Sequence, residues 1–203
     1  MVSARYRAFL IFGAPGSGKG TQGKILGKIP RFFFFACGDV FRSIDTRTAL
    51  GQQFVKYSSK GELVPDELTV EFWRLRIQQS VEAHEFKPDI DFLILDGVPR
   101  NPRQAELMQQ FIDVRRVFHL SCPIREKLVA RLKKRAIKDN RLDDASEQLI
   151  WRRLETYEQQ CKPLLNFYPP ELIVNIDATQ APIQVLMEII TYIVREKDAV
   201  ISL

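Results

Sequence analysis

The chain has 203 residues, 45% hydrophobic and 27% charged, which fits one compact domain (1–203) with small inserted lobes. Its net charge of +5 is too modest to favour nucleic acid over a small polyanionic ligand, because the arginines cluster in separate places instead of forming a tract. Three widely spaced cysteines indicate neither a disulfide framework nor a zinc site, so we expect a reducing compartment, the cytoplasm. No apolar run is long enough to cross a membrane, and we expect no cleaved signal, because the N-terminus leads straight into the first predicted strand.

The first motif joins a short apolar run to a glycine-rich turn, FLIFGAPGSGKGT over 9–21. The apolar run predicts a buried strand, and a helix is expected over 19–28, before Pro30. Gly13-x-x-x-x-Gly18-Lys19 has the P-loop spacing, in which backbone N–H groups and a helix N-terminus hold phosphate and the lysine reaches its outer oxygens. The strict pattern places a hydroxyl directly after the lysine, whereas here Gly20 intervenes before Thr21. The alternative is a glycine-rich turn with a surface lysine.

Strand and helix patterns then alternate along the chain. Further strands are predicted at 31–37, 92–96, 117–120 and 172–176. Helices are predicted from Asp39 as a cap, within 43–61, after a turn at 63–66, and at 100–113, 124–136, 145–168 and 182–197. The alternation predicts an α/β fold of the P-loop NTPase type, with a five-stranded parallel sheet between helices.

Three side-chain patterns give finer expectations about burial. The four phenylalanines at 32–35 predict a strand buried on both faces. Leu68, Phe72 and Leu75 share one face of the helix that follows the turn at 63–66, with Trp73 and Ile77 beside them. The helix at 124–136 is expected to bury Ile124, Leu128 and Leu132.

An acid ends the strand at 92–96. Asp96 is followed by Gly97 and Pro99, and an acid at the end of a strand beside a P-loop is where a magnesium-orienting carboxylate lies in P-loop enzymes. The alternative is a cap for the next helix.

Arginines could surround a phosphoryl group in transit, which needs positive charge and exclusion of water. The candidates are Arg42, Arg100, Arg135, Arg141 and one of Arg152 and Arg153. Each has an alternative as a solvated surface residue, and Arg135 could simply stabilise a helix C-terminus.

Helix geometry separates the last two arginines. The long helix at 145–168, bent at Pro163, has an inward stripe formed by Ile150, Leu154, Tyr157, Cys161 and Leu165. At about 100° per residue, Arg153 lies roughly 65° from the middle of this stripe and Arg152 nearly opposite it. We therefore expect Arg153, and not Arg152, to reach a cleft.

Five motifs in order resemble those of adenylate kinases, and the resemblance covers nearly the whole chain. They are GAPGSGKGTQ (13–22), CGDVFR (37–42), GELVPDE (61–67), DGVPR with Gln104, and the run from Arg135 through RLDD (141–144) to RLETY (153–157). The resemblance implies transfer of the terminal phosphoryl group of ATP to AMP with Mg²⁺, by a cytoplasmic monomer that binds neither nucleic acid nor membrane. It also implies an AMP-binding lobe at 36–66 and a short lid at 135–145 without a zinc knuckle.

The same resemblance implies roles for individual residues. The catalytic residues would be Lys19, Arg42, Arg100, Arg135, Arg141 and Arg153. ATP would be held by Gly16, Ser17, Gly18, Lys19, Gly20, Thr21, Arg135 and Gln180, with Asp96 orienting Mg²⁺ through water. AMP would be held by Cys37, Arg42, Glu62, Leu63, Val64, Gly97, Val98, Pro99, Arg100, Gln104, Arg141 and Arg153.

Two departures from the family pattern bear on the acceptor. Cys37 stands where adenylate kinases usually have threonine, and a thiol is the weaker hydrogen-bond donor. Val98 replaces the usual phenylalanine and shrinks an apolar wall. UMP/CMP kinases also lack the threonine but differ at the position of Gln104, so the retained glutamine favours AMP. A UMP/CMP-type kinase and a catalytically silent nucleotide-binding protein are the alternatives.

Overall fold

The P-loop strand is the central strand of a parallel sheet. The computed structural model describes residues 5–60, 62–139, 144 and 146–196. Its strands are β1 (Tyr6–Gly13), β2 (Phe32–Ala36), β3 (Phe92–Asp96), β4 (Ile112–Ser121) and β5 (Ile173–Asp177). Within this part of the chain they form one five-stranded sheet in the order β2-β3-β1-β4-β5, and every pairing is parallel. The predicted fold class is confirmed.

Helices connect the strands and cover both faces of the sheet. They are α1 (Lys19–Leu26), α2 (Cys37–Arg42), α3 (Ala49–Ser58), α4 (Asp66–Glu82), α5 (Pro102–Met108), α6 (Arg125–Asp139), α7 (Glu147–Thr156) and α8 (Pro182–Arg195). No helix among the described residues is both long and apolar enough to cross a bilayer.

The two sides of β1 belong to two different apolar clusters. Successive side chains of a strand point to opposite faces. Phe9 and Ile11 therefore pack on one side of the sheet, and Leu10 and Phe12 on the other, all nearly inaccessible to water. Because β1 is anchored on both faces, the P-loop at its carboxyl end starts from a fixed position.

The phenylalanine-rich strand is less buried than predicted. β2 lies at the edge of the sheet and pairs only with β3, so Phe32, Phe33 and Phe34 are half-buried, and only Phe35 of the four is fully buried. Phe34 packs directly on α1, where a Cβ added to Gly23 would lie 2.1 Å from its ring.

Three helical predictions were wrong in detail. Leu75 is 46% exposed, because α4 buries the face that carries Phe72, Trp73 and Ile77. Ile124 is 40% exposed and precedes α6. Asp39 lies in the first turn of α2 and pairs with Arg42 instead of capping the helix.

Two element boundaries also differ from the predictions. The helix expected over 100–113 is the shorter α5, and residues 112 and 113 already belong to β4. The long helix expected over 145–168 is α7 followed by a π-helical turn, Tyr157–Cys161, and a 3-10 turn, Lys162–Asn166, that contains Pro163. The wider π turn shifts the helical register, so Leu164 is buried in place of Leu165.

Candidate active site

A cleft of about 680 Å³ opens above the carboxyl ends of β1, β2 and β3. In a parallel α/β sheet this edge is where ligands bind. The register places Asp96 beside both Ile11 of β1 and Ala36 of β2. The end of β3 is therefore in the middle of the cleft floor.

Most residues that the sequence proposed for the site border this cleft. They are Gly16, Ser17, Gly18, Lys19, Gly20, Thr21, Cys37, Arg42, Glu62, Leu63, Val64, Asp96, Gly97, Pro99, Arg100, Gln104, Arg135, Arg153 and Gln180. Arg141 lies outside the described residues. Val98 does not border the cleft, because Gly97 turns the chain with a φ of +79° and the Val98 side chain enters the core, where it is 1% exposed.

The P-loop is a tight turn with three glycines at positive φ, namely Gly13, Gly16 and Gly18. Gly18, the residue before α1, has a φ of +101°, which a residue with a Cβ rarely adopts. The ammonium of Lys19 lies 2.8 Å from the carbonyl oxygen of Gly13 and 3.1 Å from that of Ala14. The pKa of Lys19 is lowered to about 8, chiefly by burial; the charge of Asp96 opposes this shift, and the nearby arginines add to it.

Asp96 lies against the first turn of α1. A Cβ added to Gly20 would be 3.5 Å from Asp96 Oδ2. Burial raises the pKa of the Asp96 carboxyl, and the charges of Lys19 and Arg100 work in the opposite direction. A single carboxylate facing the phosphate site fits Mg²⁺, which is commonly held by one or two carboxylates together with substrate phosphates and water. The described residues contain no cluster of three or more metal-ligating side chains that would hold an ion without a nucleotide.

Two arginines are fixed on the β2 and β3 side of the cleft. Arg42 Nη2 lies 2.5 Å from Asp39 Oδ1, within α2. Arg100 Nε donates to the carbonyl oxygen of Gly97 at 2.9 Å. Cys37, at the start of α2, is 1% exposed, and burial raises the pKa of its thiol to about 12, so it is an uncharged wall residue.

Gln104 is held at both ends of its amide. Gln104 Oε1 accepts from the backbone N–H of Arg100, and Gln104 Nε2 donates to Asp66 Oδ1, both at 2.8 Å. Asp66 Oδ1 also accepts from Asn101 Nδ2 at 2.8 Å. The resemblance implied a contact of Gln104 with the acceptor base but gave no sign of these internal partners, because Asp66 lies in α4 and Arg100 in the loop before α5.

The opposite side of the cleft has a pair of arginines that share one carboxylate. Arg135 of α6 donates to Asp144 Oδ2 through Nε at 3.0 Å and through Nη2 at 2.5 Å. Arg153 of α7 donates to Asp144 Oδ1. The Asp144 side chain is fully buried, whereas the arginines remain 29% and 19% exposed. Arg152 points away to the exposed surface and does not border the cleft, as the helix geometry predicted.

Sequence reasoning missed two residues of this side. Asp144 is part of the RLDD motif (141–144), but no function was predicted for it. Arg131 borders the cleft, and its Nη1 donates to the carbonyl oxygen of Ala178 at 3.0 Å, so it links α6 to the loop after β5. Its spacing of four from Arg135 puts both on one helix face, which could have revealed it.

Gln180 lies in the loop between β5 and α8. Its Nε2 donates to Glu188 Oε1 at 2.7 Å and to the carbonyl oxygen of Asp177 at 3.1 Å, so its amide is fixed at the cleft edge.

A P-loop on the central strand, a carboxylate on the next strand and arginines on both sides of one cleft define a P-loop phosphotransferase. Comparisons with known proteins identify the family. The sequence model of the adenylate kinase family matches residues 11–172. Proteins named adenylate kinase from Cyanothece sp., Synechococcus sp. and Mycoplasma pneumoniae are 37%, 40% and 31% identical to this chain.

Those three alignments cover 89%, 78% and 92% of this chain and 91%, 81% and 97% of the relatives. The chain therefore belongs to the adenylate kinase family, as the five motifs predicted. Enzymes of this family transfer the terminal phosphoryl group of ATP to AMP, giving two ADP, and they use Mg²⁺ together with ATP.

Proposed function

We propose that this chain catalyses the family reaction, with ATP on the P-loop and AMP on the β2 and β3 side of the cleft. One observation supports this most directly: Lys19, Asp96, Arg100, Arg135 and Arg153 all border the same cleft, although they are far apart in sequence. A protein that only bound one nucleotide would not need arginines on both sides of its phosphate site.

The residues act mainly by position and charge. The phosphate of AMP is itself the nucleophile, so no side chain has to remove a proton from it. Lys19 and the P-loop N–H groups would hold the phosphates of ATP, and Arg42 and Arg100 the phosphate of AMP. Charge that develops on the transferring group would be neutralised by Arg135 and Arg153, and by Arg141, which lies outside the described residues.

Asp96 would hold Mg²⁺ through water on the phosphate side of the cleft. The ion would supply positive charge to the outer phosphates of ATP when bound. Asp96 fits this role because its carboxylate faces the first turn of α1, where those phosphates would lie.

Two short insertions would close over the substrates. The first, 36–66, contains α2 and α3 and would be the AMP-binding lobe. The second, 135–145, contains Arg135 and Asp144 and would be the lid; residues 140–143 and 145 lie outside the described part. We further propose that the protein is a monomer and that it lies in the cytoplasm; the three unpaired cysteines support the second proposal.

The test is a panel of nucleoside monophosphates, each incubated with ATP and Mg²⁺, with products separated by chromatography. We expect AMP to have the highest kcat/KM, because the glutamine at 104 is retained although Cys37 weakens one contact. A preference for UMP or CMP would support the alternative kinase, and no turnover with any acceptor would support a silent nucleotide-binding protein. Lys19→Ala should reduce both ATP binding and turnover.

A further inference from the structure

The contacts of Gln104 leave its amide only one orientation. A carboxylate oxygen can only accept a hydrogen bond, and a backbone N–H can only donate one. Asp66 Oδ1 therefore requires the NH₂ group on its side, and the N–H of Arg100 requires the carbonyl oxygen on the other. Rotation of the amide by 180° would replace both hydrogen bonds by repulsive contacts. Gln104 is also 1% exposed, so water would not compensate for either loss.

This orientation decides what the amide can offer to a ligand. An amide NH₂ has two donors and its oxygen has two lone pairs, so one of each remains for a further partner. The remaining pair is a donor on Nε2 and an acceptor on Oε1. The edge of an adenine base presents the complement, an acceptor at N1 and a donor at the 6-amino group. A 6-oxo purine presents the reverse, a donor at N1 and an acceptor at O6.

We propose that Asp66 is a specificity-determining positioning residue, which selects 6-amino over 6-oxo purine monophosphates by fixing the amide of Gln104. This inference rests on the proposed function, in which Gln104 contacts the acceptor base. Asp66 acts on Gln104 directly and also through Asn101. The side-chain amide of Asn101 donates to Asp66 Oδ1, and its oxygen accepts from the backbone N–H of Gln104, both at 2.8 Å. One carboxylate thus ties the start of α4 to the start of α5.

The adjacent acid provides a matched control. Asp66 and Glu67 both lie in the first turn of α4, where negative charge is favourable. Glu67 pairs with Arg103 at 3.2 Å, and both of those side chains are more than half exposed. A change from carboxylate to amide at either position removes the same charge from the helix terminus, but only Asp66 contacts Gln104.

The experiment compares AMP with inosine monophosphate, because the two differ at the 6-position and N1 of the base and in little else. Values of kcat/KM for both acceptors are measured at saturating ATP and Mg²⁺ for the wild-type protein, Asp66→Ala, Asp66→Asn and Glu67→Gln. The preference for AMP should fall by about 10-fold to 100-fold in Asp66→Ala, the range for loss of a hydrogen bond to a charged acceptor. It should fall by a few-fold in Asp66→Asn, whose amide can also donate, and should stay at the wild-type value in Glu67→Gln.

Each outcome decides between the inference and the underlying function. If the wild-type protein uses AMP and Asp66→Ala lowers both acceptors equally, the specificity role is overturned and the proposed function stands. A wild-type protein that accepts inosine monophosphate as well as AMP would also overturn the inference. If it phosphorylates neither, the proposed function itself fails. Thermal melting shows which variants are folded. If Asp66→Ala does not fold, the test rests on Asp66→Asn, and an unchanged preference for AMP over inosine monophosphate in that variant would overturn the inference.

Discussion

The carboxylate shared by two cleft arginines gives a prediction whose size follows from the geometry. Asp144→Ala removes the buried carboxylate with which both Arg135 and Arg153 form ion pairs, so each guanidinium loses that interaction. Breaking a buried ion pair by removal of one partner costs about 3–5 kcal/mol. Because the two guanidinium groups keep 29% and 19% exposure, water offsets part of that cost, and we expect a loss of about 2–3 kcal/mol.

For a chain of this length such a loss lowers the melting temperature by about 4–12 °C, which calorimetry or circular dichroism measures. Glu147→Gln is the control, because Lys133 and Glu147 also link α6 to α7 but are at least half exposed. Its melting temperature should stay near that of the wild-type protein. The rate of turnover of ATP and AMP should fall in Asp144→Ala but not in Glu147→Gln. If Asp144→Ala melts within a degree of wild type, the carboxylate does not hold the arginines as described.

Three further predictions concern two cleft residues and one buried histidine outside the cleft lining. Arg153→Ala should lower kcat by about 10³-fold or more while Arg152→Ala leaves it near wild type, and equal activity in the two variants would remove Arg153 from the mechanism. Because the pKa of Lys19 is about 8, its charge is lost above that pH: ATP should bind more weakly as pH rises through 8, whereas Lys19→Arg should show no such dependence. His119 lies between Asn175 and the hydroxyl of Tyr157, and burial lowers its pKa. NMR should therefore show His119 titrating at a lower pH than an exposed histidine, and stability should fall as the pH drops through that range.

The fold could be predicted because its signals are local. Apolar runs that end in Gly13 and Asp96, separated by helical patterns, are sufficient to indicate a parallel sheet with a P-loop after its first strand. The order of the strands is not a local property. It makes β2 an edge strand, which is why full burial of the phenylalanines at 32–35 was a wrong prediction.

Much of the candidate site could be proposed from residue type and spacing, but not the contacts inside it. Helix geometry correctly separated Arg153 from Arg152, since both belong to one helix. Asp144 and Asp66 were missed because each acquires its importance from partners on other elements. The π turn after α7 has no sequence signal of its own, so the register beyond Tyr157 could not be followed.

The central claim is that ATP and AMP meet in one cleft and exchange a phosphoryl group there. Phosphorus NMR of the purified protein with ATP, AMP and Mg²⁺ tests it directly. We predict that ADP resonances appear only when both nucleotides are present, and that ADP alone is converted to the same mixture. Binding of ATP without any ADP formed from ATP and AMP would contradict the claim.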